Sequence, residues 1–177
     1  SAASPIHGLG HWKRVLENGL AIAKETGTNV ELVELFALFH DSCRFNDGKD
    51  PEHGNRAAQW AASMRYRFST LPDDLLQFLL EALRNHTHVK HTHNMHIATC
   101  WDADRLDLRR VGKIPNEEFM NTDTGQILAR YEIDVEKLAK YIRCKLELER
   151  ASLGDEYFYQ SLPLCVLDAV YSINANY

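Results

Sequence analysis

Nine histidines stand in a chain of 177 residues, and their placement matters more than their number. The pair His40-Asp41 is the sharpest case. Leu35 to Phe39 are all apolar, so this pair ends a segment surrounded by core. Ionisable groups buried there without partners cost several kcal/mol. The partial negative charge of a helix C-terminus further repels the Asp41 carboxylate, and a bound cation relieves both problems. A plainer reading has Asp41 capping the turn or pairing with Arg44, and in isolation it weighs as much as a ligand role.

His11, His53, His86 and Asp104 extend the pattern, because imidazole and carboxylate are the ligand types of first-row divalent ions. Singly, each has a bland alternative: an inward histidine is more often hydrogen-bonded in a core, and a buried aspartate more often pairs with an arginine, here Arg14 or Arg105.

The elements that must carry these residues read as helices. Trp12, Val15, Leu16, Leu20 and Ala23 predict a helix from about Leu9 to Lys24, stopped near Gly27, with His11 in its first turn. A second runs from about Val30 to Asp41. Asp50-Pro51-Glu52 reads as a helix start, with a capping oxygen and then proline at the first position, placing His53 in the first turn of a third helix. Pro72 and Asp73-Asp74 open a fourth, whose stripe Leu75, Leu79, Leu83 continues to His86. A fifth carries Ile97, Cys100, Trp101, Asp104 and Leu108 on one face, which favours Asp104 over Asp102 as the inward carboxylate. Asp134 to Ala151 reads as an amphipathic helix, and Leu162 to Ile173 as an apolar core or interface segment. The expected class is all-α: one helical-bundle domain over residues 1–177, with a metal-site core at about 7–112 and C-terminal helices at about 115–177.

Composition narrows the partners. With 45% hydrophobic and 25% charged residues the chain is a soluble globular mixture. A net charge of -5 disfavours nucleic acid, though it permits one locally positive pocket for a small anion. No apolar run is long enough for a membrane helix, and the first residues lack the features of a signal peptide. Cys43, Cys100, Cys144 and Cys165 are scattered and read as reduced thiols, so a cytoplasmic location is expected.

The order His, His-Asp, His, His, Asp resembles the HD-domain superfamily of metal-dependent hydrolases that act mainly on phosphate esters and nucleotides. The matching passages are HWKRV (His11 to Val15), LFHD (Leu38 to Asp41), EHG (Glu52 to Gly54), NHT (Asn85 to Thr87) and DADRLD (Asp102 to Asp107). The resemblance implies an all-helical HD-type bundle with His11, His40, Asp41 and Asp104 around one metal. His53 and His86 then look like the dinuclear branch, in which Asp41 bridges two ions. One or two divalent ions (Fe, Mn, Co, Ni, Zn or Mg) are the implied cofactor, and a small phosphorylated substrate, such as a nucleotide, the implied partner. Homo-oligomerisation is left open.

In such a site an ion lowers the pKa of a water so that hydroxide exists near neutrality, and two ions can hold phosphoryl oxygens through an in-line displacement. Asp107, one turn from Asp104, is a candidate to orient a ligand or take a proton, and Arg14, Arg44, Lys49 and Arg109 to hold phosphate. For Lys49 and Arg109 a solvated surface charge is the stronger reading. His88, His91, His93 and His96 rival His86 but read as exposed loop residues. The same ligand order also serves mixed-valent di-iron oxygenases on this scaffold, and a third alternative is a non-catalytic regulatory module with a structural metal.

Overall fold

The computed structural model describes residues 2–68 and 70–131. The chain divides into a unit Ser1–Glu136 and a unit Lys137–Tyr177. The expected amphipathic helix over 134–151 and the apolar segment over 162–173 lie outside the described residues, as do Cys144 and Cys165.

The described residues form helices α1 (Leu9–Thr26), α2 (Val30–Phe39), α3 (His53–Ser63), α4 (Asp73–Asn85) and α5 (Met95–Leu106). Short 3-10 turns lie at Arg65–Arg67, Asp107–Val111 and Glu117–Phe119, and a helical run follows over 123–131. No β-strand occurs among these residues, so the all-α class holds. Nor is any described helix long and apolar enough to cross a membrane.

The boundaries follow local chemistry. Asn29 caps α2 by accepting the Leu32 amide, and Asn94 caps α5 through the amides of His96 and Ile97. Gly27 ends α1 in the left-handed region at φ 70°, where a side chain would be strained. One expected cap differs. The helix α3 begins at His53, and the Asp50 carboxylate accepts from the Phe45 amide and from Arg56 instead of capping α3. A salt bridge to Arg56 at 2.6 Å and the loop amide outcompete the helix end for the same oxygens.

The helix α1 packs on α5 and α2, and α3 on α4. Val15, Leu32, Phe36, Leu79, Leu83, Ile97 and Trp101 fill the interior between them. Trp101 carries its one polar atom inward and donates to the Ala82 carbonyl at 3.0 Å. The buried stripe of α4 is Leu76, Leu79, Leu80 and Leu83, with Leu75 only partly buried beside it. The stripe still leads to His86, which caps the helix and is buried. The helix α5 is enclosed on nearly every side, and Asp102 is fully buried while Asp104 is only partly buried, so burial singles out Asp102 and not the carboxylate expected to point inward.

Candidate metal centre

Four helix ends converge on one point. His11 comes from the first turn of α1, His40 and Asp41 from the end of α2, His53 from the start of α3, and His86 from the end of α4. Asp104 enters from the last turn of α5. The structure thus brings together all six residues singled out as ligands, and all but Asp104 are at least nine-tenths buried.

Asp41 sits in the middle. Its Oδ2 is 3.5 Å from His11 Nε2 and 3.9 Å from His40 Nε2. Its Oδ1 is 3.1 Å from His53 Nε2 and 3.9 Å from His86 Nε2. Each carboxylate oxygen therefore faces its own histidine pair. Within the pairs, His11 Nε2 lies 2.8 Å from His40 Nε2, and His53 Nε2 lies 2.9 Å from His86 Nε2. Asp104 Oδ1 completes the first group at 3.4 Å from His11 Nε2 and 4.0 Å from His40 Nε2.

The outer ring nitrogens decide what those inner atoms can do. His40 Nδ1 meets the carbonyls of Phe36 and Ala37, His86 Nδ1 that of Leu83, and His53 Nδ1 that of Asp50. A carbonyl only accepts, so these Nδ1 atoms carry a hydrogen and each ring turns its Nε2 inward, where a ring without a second proton presents a lone pair. His11 Nδ1 donates to Asp107 Oδ2 at 2.7 Å, which turns its Nε2 inward as well. Two lone pairs facing each other at under 3 Å repel unless a proton or cation stands beside them. Two ligands at about 2.1 Å from one ion would show roughly this separation. Asp104 Oδ1 is also buried with no hydrogen-bond partner, an orphaned acceptor at the place where a cation would stand. The residues fit a divalent ion: His11, His40 and Asp104 can hold one, as can Asp41, His53 and His86.

Burial opposes charging of His11, but the carboxylates of Asp104, Asp107 and Asp41 outweigh it and raise its pKa to about 10. Burial lowers His40 to about 4, against the pull of Asp41 and Asp104. Burial would raise Asp41 and Asp104, yet the surrounding histidines hold both below the usual carboxylate range.

The supporting residues sort by contact. Asp107 holds His11 and is itself gripped by Arg14, whose Nε reaches Oδ1 at 2.6 Å and Nη2 reaches Oδ2 at 3.0 Å. Arg14 thus braces the residue that orients His11. Arg44 Nη1 is 3.5 Å from Asp41 Oδ1 and 3.3 Å from both ring nitrogens of His53. Lys49 and Arg109 are exposed. Asp102 plays a different part and accepts from the amides of Asn121 and Thr122 and from the Thr122 hydroxyl, which fastens the start of the 123–131 run. Among the rival histidines, His88, His91 and His93 are exposed, and His96 stacks on Phe78.

Two residues that sequence reasoning passed over also reach the centre. His7, in the turn before α1, places Nδ1 2.7 Å from Asp41 Oδ2 and belongs to a third potential ion-holding group with His11 and Asp41. Its only signal was the four-residue spacing to His11. Arg110 places Nη2 3.8 Å from Asp104 Oδ1 and 3.5 Å from His7 Nδ1. Its signal was weaker still, a three-residue spacing from Asp107.

The fold has a solved counterpart. The crystal structure of a predicted HD superfamily hydrolase from an uncultured Thermotogales bacterium is similar to this chain with a TM-score of 0.60 and 26% identity, over 79% of this chain and 82% of the other. This likeness supports the HD-domain superfamily and shows an HD-type, all-α fold. Residues 136–177 match a domain of unknown function, DUF8548. No curated protein matches the chain.

Proposed function

We propose that this chain is a metal-dependent phosphohydrolase that acts on a nucleotide or another small phosphate ester through a dinuclear centre. The observation that carries the proposal is Asp41: one carboxylate whose two oxygens face two separate histidine pairs, each pair turning its Nε2 atoms toward the oxygen it faces. His11, His40, Asp41 and Asp104 would hold one ion, and Asp41, His53 and His86 the other. Bound there, such ions supply Lewis acidity for a phosphoryl oxygen and acidify a water near neutrality.

The protein's own groups orient and neutralise. The Phe36, Ala37, Asp50 and Leu83 carbonyls and the Asp107 carboxylate lock the ring orientations before substrate arrives. Asp41, Asp104 and Asp107 are offset by the guanidinium groups of Arg14, Arg44 and Arg110. With these charges balanced inside the protein, any divalent ion leaves the pocket positive, and an anionic substrate restores neutrality. Arg44 and Arg110 flank the carboxylates on either side and are the groups best set to meet phosphoryl oxygens.

The test is metal analysis of untreated protein, followed by phosphate release from a panel of nucleotides and phosphate esters with Mn, Fe, Co, Ni and Mg. Turnover with redox-silent ions supports hydrolysis. Oxygen uptake by an iron-loaded form with no phosphate released would overturn it in favour of oxygenase chemistry.

A further inference from the structure

One face of α1, formed by Arg14, Glu17 and Asn18, looks across a cleft of about 610 Å³ at Leu106, Asp107, Arg109 and Arg110. This cleft has no part in the ion-holding groups, yet it shares two residues with their surroundings. Asp107 holds His11, and Arg110 reaches Asp104.

Three arginines line the cleft, and its acids are already answered. Asp107 is gripped by Arg14, and Glu17 lies 3.7 Å from Lys13. Arg110 is the telling residue. Its side chain is only 10% exposed, and Nη1 donates to the Asp107 carbonyl at 3.0 Å. Its Nε, however, is buried with no hydrogen-bond partner. An unpaired buried guanidinium N–H is costly, and an acceptor brought to this side chain would relieve that cost. Arg14 spends Nε and Nη2 on Asp107, which leaves Nη1 outside that pair.

We infer that this cleft is a second anion subsite, which binds a phosphate group of the substrate other than the one at the metal centre. The inference rests on the phosphohydrolase reading and sharpens it, since the substrate class becomes small molecules with two phosphate groups. Arg110 stands between the two positions and touches both. Arg109 and Arg14 serve the distal group alone, through charge and donors that a single-phosphate substrate does not reach.

Calorimetric titration of Mn-loaded protein, freed of excess ion, with orthophosphate and pyrophosphate as probes tests this. Pyrophosphate should bind about tenfold tighter or more. Arg109→Ala should reduce that preference to within about threefold while orthophosphate affinity and Mn content stay unchanged, and Arg110→Gln should weaken both probes. A preference that survives Arg109→Ala would belong to the ions and would overturn the subsite, as would equal affinities in the native protein. The two proposals fail separately. Absence of any phosphoester turnover, with an Arg109-dependent preference intact, removes the hydrolase reading and keeps the subsite. Turnover of single-phosphate esters with no such preference does the reverse.

Discussion

Asp102 and Asp104 are two residues apart on one buried helix and do unrelated work. Asp104 turns an unsatisfied oxygen toward His11 and His40, whereas both oxygens of Asp102 are occupied by the backbone and side chains of Asn121 and Thr122. Asp104→Asn should therefore abolish ion binding at the His11–His40 pair, read by metal analysis, with little loss of stability when both proteins are unfolded in urea with a chelator present. Asp102→Asn should keep full metal content and lose about 1–3 kcal/mol of stability, because an amide N–H now confronts donors. The opposite pattern would exchange their roles. His11 supplies the pH dependence. With its pKa raised to about 10, chiefly against burial by Asp104, Asp107 and Asp41, it is protonated at neutral pH in the ion-free protein. An ion at this position must displace that proton, so affinity should climb by about tenfold per pH unit below about pH 10, for one proton released. Zn titrations at two pH values, with proton release followed in weakly buffered solution, measure it; flat affinity would contradict the assignment.

Elements set the spacing between histidine pairs through small residues at close approaches. A Cβ on Gly54 would stand 2.5 Å from the Leu83 carbonyl oxygen and 3.1 Å from that of Arg84. Both are backbone atoms, which cannot swing aside, so the absence of a side chain is what lets the start of α3 sit against the end of α4 and His53 face His86. Gly54→Ala should push the two helix ends apart, cost about 1–3 kcal/mol, and lower metal content by the ion held at His53 and His86. Calorimetry of unfolding and metal stoichiometry together check this, and unchanged metal content would show that the pair tolerates the shift. The helices themselves were largely legible in the sequence, since apolar periodicity and stop signals act locally: Gly27 ends α1 where it stands, and the structure adds Asn29 and Asn94 as the caps of α2 and α5. The start of α3 was not, because the Asp50 carboxylate had an alternative partner in Arg56, six residues on, that only the loop's closure made available.

For the molecule as a whole, the buried charges of the centre make folding and ion binding one equilibrium. Chelation should lower the melting temperature by about 5–15 °C if the ion is present at 100 to 1,000 times its dissociation constant, and scanning calorimetry with and without a chelator reads this directly. No change would mean that the histidine cluster is satisfied without an ion. The sequence by itself determined the all-helical class, since helix signals come from neighbours a few residues away, and the resemblance of its His, His-Asp, His, His, Asp order singled out the six residues that meet at the centre. It did not determine who stands around them. His7 arrives from a turn before α1, Arg110 from a 3-10 turn after α5, and Arg14 proves to brace Asp107 from 93 residues away. Those partnerships depend on how α1 and α5 cross, a property of packing that no local spacing encodes. The division of Asp41 between two histidine pairs was likewise settled in three dimensions, where four helix ends fix which oxygen faces which ring.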